Sequence, residues 1–238
     1  MFKINHKVLN IVLLILLAII VVRNNYLNKL GSILFQDSTH NYKSNREYKR
    51  QLDLYEVYSK KQCNYVMLGN SITQYVNWNE LLNRTDIINR GIGIDVTAGF
   101  KDRLNHVINL KPKYCFIMGG INDILFNIKV DEILANYEDI ILTLKAENII
   151  PIIQSTLFVS DSYENANSIN NKVDSLNSRL IQLSKLHDVK YLDLNDILSS
   201  NNNLKKSYTT DGIHLNGKGY LEWKKILTVE MKNHQLSD

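Results

Sequence analysis

What most constrains the fold of this 238-residue chain is an alternation. Short apolar runs of strand length at residues 65–68, 87–88, 114–118, 149–153 and 189–192 are separated by stretches of helical periodicity. Phe100, Leu104, Val107 and Ile108 form one apolar stripe; Ile133, Leu134, Tyr137, Ile140, Ile141 and Leu144 form a second. Ile169, Val173, Leu176, Leu180 and Leu183 form a third, and Tyr220, Trp223 and Leu227 line a last helix. Apolar residues recurring at three and four positions bury one face of a helix. Strands that alternate with such helices build βαβ units, so the expected fold is α/β, with a mainly parallel five-stranded sheet between helices. Ligands of such sheets bind beyond the carboxyl ends of the strands. Chemistry is therefore sought in the residues that follow each apolar run. Asn201 to Asn203 reads as a loop, and a long loop at 158–171 is expected to border the site.

Residues 8–22 read VLNIVLLILLAIIVV, interrupted only by Asn10 and flanked by Lys3, Lys7 and Arg23. A spanning helix takes ~20 apolar residues and a signal-peptide core ~7 to 15, so length leaves both open. No small-residue cleavage site and no lipid-accepting cysteine follows the run. The expectation is an uncleaved transmembrane signal anchor over residues 1–30, with a cleaved secretion signal as the alternative. The charge asymmetry is slight; the N-terminus is placed inside and the remaining domain outside a bacterial cytoplasmic membrane. Residues 31–62 read as a linker with a short amphipathic helix marked by Tyr48, Leu52 and Tyr55, and 63–232 as one globular domain.

A formal charge of +4, spread along the chain without a Lys/Arg block, gives no nucleic-acid footprint. Cys63 and Cys115 are too few for a disulfide framework and lack zinc-site spacing, and they are expected as two buried thiols.

Four segments at strand ends carry the candidate chemistry. In Leu68-Gly69-Asn70-Ser71-Ile72-Thr73, a strand stops at glycine and a serine opens a helix. Ser71 is either a nucleophile or a common helix cap. In Asp211-Gly212-Ile213-His214, a three-residue gap lets a carboxylate reach one imidazole nitrogen while the other faces a serine, which needs such a base to become nucleophilic. His6, His40, His106, His187 and His234 have no comparable setting, and His106 is expected as a partly exposed surface residue. In Met118-Gly119-Gly120-Ile121-Asn122-Asp123, the Asn122 amide can donate to a developing oxyanion, or Asn122 or Asp123 can cap a helix. Asn89-Arg90-Gly91-Ile92-Gly93-Ile94-Asp95 offers further backbone donors, and it lacks the third glycine of a dinucleotide loop.

In this order the four segments resemble the sequence blocks of SGNH (GDSL-like) hydrolases, over about residues 48–227. Within that family the chain is similar to bacterial esterases related to the platelet-activating-factor acetylhydrolase catalytic subunit. Asn89-Arg90-Gly91-Ile92 and His214-Leu215-Asn216-Gly217-Lys218-Gly219-Tyr220 are the most telling stretches. The resemblance implies a flavodoxin-like three-layer α/β/α sandwich and a triad of Ser71, His214 and Asp211. It also implies an oxyanion hole from the Ser71 N–H, the Asn122 side chain and a backbone N–H of the second block, without metal or cofactor.

Two departures stand out. Asn70 occupies the Asp position of the GDSL name, which is no triad member. At the glycine that usually completes the oxyanion hole stands Ile94, with Gly93 one residue earlier. If that site needs φ > 0, a β-branched residue is strained there; either Ile94 donates nonetheless or the loop shifts so that Gly93 serves. The expected activity is hydrolysis of a carboxylic ester through acyl-Ser71. The first substrate is an O-acetyl group on a cell-envelope glycan and the second a lysophospholipid. The alternatives are an O-acyltransferase and a catalytically weak carbohydrate-binding domain.

Overall fold

A computed structural model describes residues 41–59 and 62–236. The chain enters as helix α1 (Arg46–Val57), then runs β1 (Tyr65–Gly69), α2 (Ser71–Gln74), α3 (Trp78–Leu82), β2 (Ile87–Gly91), α4 (Thr97–Asp102), α5 (Asn105–Ile108) and β3 (Tyr114–Met118). It continues through α6 (Ile121–Leu125), α7 (Val130–Ala146), β4 (Ile150–Gln154), α8 (Ala166–Leu186), β5 (Lys190–Leu192), α9 (Asn195–Leu198), a short β6 (Ser199–Ser200) and β7 (Asn203–Leu204) pair, and α10 (Gly217–Leu236).

The sheet has five strands in the order β2-β1-β3-β4-β5, all parallel. Val66, Met67 and Leu68 of β1, and Cys115 to Met118 of β3, are wholly buried. Unbroken apolar runs are what a parallel strand covered on both faces requires. Because β2 and β3 flank β1, the chain reverses its direction across the sheet after β2. Right-handed crossovers then put α2 and α3 on one face and α4, α7 and α8 on the other. α10 joins the first group, with the Trp78 and Trp223 rings 4.9 Å apart and edge-on. α4, α7 and α8 pack in series on the second. The loops after β2, β1 and β3 emerge side by side at the reversal point, the usual ligand site of such sheets.

Two local expectations need correction. The stripe from Phe100 to Ile108 is not one helix. Arg103 leaves helical geometry at φ −112, and its N–H bonds Phe100 O three residues back, dividing α4 from α5. The loop expected to reach residue 171 ends at Asn165, since α8 begins at Ala166. Its missing sheet partners are supplied by carboxamides: Asn170 bonds both N and O of Val159, and Asn177 both N and O of Thr156, at 2.8–2.9 Å. The loop expected at Asn201 to Asn203 is the tip of a hairpin that returns as β7 from Asn203, with Asn201 and Asn202 at φ +49 and +55, the two left-handed residues of a tight hairpin turn. Cys63 and Cys115 are buried thiols in no disulfide, as expected.

The expected anchor at 1–30, with its apolar run 8–22, lies outside the described residues, as do residues 31–40 of the linker. Among the described residues no helix is long and apolar enough to cross a membrane. The amphipathic helix expected around Tyr48, Leu52 and Tyr55 is α1, with Tyr48 and Tyr55 buried.

Candidate active site

Ser71 is delivered by β1. Strand geometry ends at Gly69, where an added Cβ would lie 2.7 Å from Met118 O of the neighbouring strand, so only glycine lets β1 and β3 leave the sheet together. Asn70 then caps α2, its Oδ1 accepting the Ile72 N–H at 3.0 Å. This capping uses only the acceptor oxygen that Asn and Asp share, which accounts for Asn at this position; the buried Nδ2 has no partner among the described residues. Ser71 follows as the first helical residue, 7% exposed.

The Ser71 Oγ lies 2.9 Å from Nε2 of His214. On the far side of the ring, His214 Nδ1 lies 2.5 Å from Asp211 Oδ2. The turn that achieves this is local: Asp211 Oδ1 accepts the N–H groups of Ile213 and His214 at 3.0 and 2.8 Å, freeing Oδ2 for the ring. Gly212 takes φ +88 between them, a conformation that favours glycine. Its N–H donates to Thr209 Oγ1 and its carbonyl accepts from Ser160 N–H at 2.7 Å, tying the turn to the loop after β4. Burial pushes the Asp211 carboxyl upward, but the bonds from His214 and the two backbone N–H groups outweigh it and hold it at about 2. A carboxylate fixed this way sets the ring tautomer, with Nδ1 protonated and Nε2 free to accept the serine proton. The exposed Tyr75 ring lies against His214 with centroids 5.1 Å apart.

Asn122 sits on the first turn of α6, after Gly120 at φ +107, and its Nδ2 donates to Asp95 O at 2.8 Å. That uses one of its two amide hydrogens. Ile92 to Asp95 form a turn closed by Asp95 N–H on Ile92 O at 3.3 Å. In it Ile94 takes φ +63 while Gly93 stays out of the left-handed region. The loop has therefore not shifted to spare the β-branched residue, and Ile94 is also 52% exposed. The neighbouring stretch Asn89-Arg90-Gly91-Ile92 holds α2 in place. Asn89 Nδ2 donates to the carbonyls of Thr73, Gln74 and Val76 at 3.0–3.2 Å. An added Cβ on Gly91 would lie 2.4 Å from Gln74 N.

Several supporting residues escaped the sequence motifs. The Arg103 guanidinium, wholly buried, donates to Asp95 Oδ2 at 2.8 Å, to Arg90 O at 2.8 Å and to Gly69 O at 2.9 Å, joining the loops after β1 and β2. Burial lifts the Asp95 carboxyl to about 6, against the pull of Arg103. Asp123 accepts from Thr97 N–H and Oγ1, joining the loops after β2 and β3. The one signal for Arg103 is its place on the stripe of Phe100, Leu104 and Val107, where a charge is out of pattern. Among the described residues no group of three or more His, Cys, Asp or Glu is arranged to hold a metal ion. Tyr163 packs against Gly212 and helps line a cavity of about 600 Å³ with Ile124, Leu125, Asn165, Ser168 and Lys172.

The GDSL-like Lipase/Acylhydrolase family model matches residues 67–221. A Streptococcus pneumonia structure described as that of a platelet activating factor is 26% identical, with TM-score 0.70, covering 87% of this chain and 98% of its own. The fold is also shared with an acetylxylan esterase from Geobacillus stearothermophilus, 17% identical with TM-score 0.59, over 72% of this chain and 95% of the other. An N-acylneuraminate cytidylyltransferase of Streptococcus agalactiae is 24% identical over 81% of this chain, which spans only 44% of that relative's length.

Proposed function

This chain belongs to the GDSL-like lipase/acylhydrolase family and is by that membership an ester hydrolase; from there we propose that it removes an O-acetyl group from a carbohydrate through an acyl-Ser71 intermediate. The observation that carries the proposal is the relay from Ser71 through His214 to Asp211, at 2.9 and 2.5 Å. His214 Nε2 takes the hydroxyl proton as Ser71 Oγ attacks the ester carbonyl, and Asp211 stabilises the imidazolium. The oxyanion is met by the N–H of Ser71, the N–H of Ile94 and the remaining amide hydrogen of Asn122. Collapse expels the alcohol, which takes the proton back from His214. Water, deprotonated by the same imidazole, then releases the free acid and restores Ser71.

A sugar-borne ester is favoured by Tyr163, which packs against Gly212 and also lines a cavity with polar Asn165, Ser168 and Lys172. The acetylxylan esterase and the N-acylneuraminate enzyme are both named for sugar substrates, which adds support. Nucleotidyl transfer is not carried over from a relative more than half of which is unmatched. We also propose that residues 8–22 tether the domain outside the cytoplasmic membrane, where envelope glycans would be its substrates. The test is acetate release from acetylated oligosaccharides by the full chain and by Ser71→Ala. Release confined to the unsubstituted protein supports the proposal. Activity only on phospholipid esters would move the substrate to lipid, and acetyl transfer to an added glycan in preference to water would make the enzyme an acyltransferase.

A further inference from the structure

The carbonyl of Gly93 and the N–H of Ile94 belong to one peptide unit, the central one of the Ile92–Asp95 turn. In a trans peptide these two groups point in opposite directions, so whatever fixes the carbonyl aims the N–H. The carbonyl is fixed: Gly93 O accepts from Asn45 Nδ2 at 3.0 Å. The N–H has no protein acceptor among the described residues.

The turn has its positive φ at the third position, the pattern of a type II turn, which favours glycine there. Rotating the central peptide by half a turn gives type I, in which that residue has negative φ. An isoleucine prefers the second form, because the left-handed region crowds its branched Cβ. Ile94 therefore works against the peptide orientation that the structure holds, and it gains little by burial in return, being 52% exposed.

We propose that Asn45 is a positioning residue that latches the Gly93–Ile94 peptide with the Ile94 N–H aimed at the oxyanion. The latch rests on the assignment of that N–H as an oxyanion donor. It explains how an oxyanion loop can carry isoleucine where the related enzymes carry glycine. Asn45 lies outside the family-matched residues 67–221, in a segment built to hold it. Its Oδ1 caps α1 by accepting Glu47 N–H at 2.9 Å, so the carboxamide is gripped at both ends. α1 in turn is bound to β2, α4 and α2. Tyr55 OH donates to Gly91 O at 3.1 Å, Tyr48 OH to Gly99 O at 3.3 Å, and Gln74 Nε2 to Glu47 Oε1 at 2.8 Å.

The test is a double-mutant cycle in the full chain with Asn45→Ser, Ile94→Gly and the pair. Serine keeps the α1 cap but cannot reach Gly93. In the isoleucine background Asn45→Ser is expected to lower kcat by ~10 to 100-fold, part of the loss of one oxyanion donor, with KM changed little. In the Ile94→Gly background, where glycine holds the type II turn unaided, the same substitution is expected to lower kcat by less than about threefold. An equal loss in both backgrounds, or no loss in either, would overturn the latch. The crystal structure of Asn45→Ser tests it without turnover. Ile94 is expected at negative φ, and retention of positive φ would overturn the latch even if the esterase assignment stands. A starting protein no faster than Ser71→Ala would instead remove the esterase assignment, leaving the structural arm to decide the latch.

Discussion

The guanidinium of Arg103 lies 2.8 Å from the carboxylate of Asp95, and neither side chain is exposed. Removing one partner of such a pair strands a buried charge, which costs about 3–5 kcal/mol. Arg103→Met is therefore expected to lower unfolding free energy by about that amount in denaturant titrations. It should also reduce kcat, since the same guanidinium holds the carbonyls of Gly69 and Arg90, in the strand ends that lead to Ser71 and to the Ile92–Asp95 turn. A variant of unaltered stability would show that the pair contributes nothing net.

Ile94→Gly should raise stability. The left-handed region costs a non-glycine residue about 1–2 kcal/mol, and glycine returns about 0.4–1 kcal/mol of that through the entropy of the unfolded chain. The exposed side chain has little burial to lose. The expected gain of about 1 kcal/mol would appear as a higher thermal midpoint; a lower one would mean that the isoleucine side chain makes contacts worth more than its strain.

With Asn122 proposed as an oxyanion donor, Asn122→Ala is expected to cost ~10² to 10³ in kcat. Because Asn122 also donates to Asp95 O, part of the loss comes through the turn that carries Ile94. Steady-state kinetics on a small ester should show kcat falling more than KM rises. A pure KM effect would place Asn122 in substrate binding only.

Asp211 is held near 2 in the folded chain, below the ordinary carboxylate value of 3.8. A depressed folded-state pKa contributes stability that is present above the unfolded value and lost as pH falls through the folded one. The stability difference between the unsubstituted protein and Asp211→Asn should therefore be constant above about pH 5 and shrink from about pH 4 towards 2. At neutral pH the same variant should lose ~10⁴ in kcat, because the amide no longer fixes the imidazole tautomer. A stability difference independent of pH down to 2 would contradict the assigned ionisation.

The five strands and the Asp211–His214 pair were legible because both rest on short-range signals; Ser71, 143 residues from His214, was set beside it by the family resemblance. Apolar runs fix where strands lie, and Asp211-Gly212-Ile213-His214 builds its own turn from adjacent residues. The register between β1, β2 and β3 then brings the loops together without further information. Asn45, Arg103 and Thr97 were not legible, since each acts through a contact across tens of residues and carries no motif. The division of the Phe100 to Ile108 stripe was hidden for a related reason. Periodicity reports which face is buried, and Arg103 lies on that face, but only the acceptors at Asp95, Arg90 and Gly69 reveal why the helix yields there. The strain at Ile94 was foreseeable as a question, and the backbone supplied the sign of φ.

The central claim is tested most directly by p-nitrophenol release from p-nitrophenyl acetate, measured for the full chain beside its Ser71→Ala variant. Turnover that disappears in the variant is the predicted result. Equal rates in the two proteins would contradict a nucleophilic Ser71, however well its hydroxyl is placed beside His214.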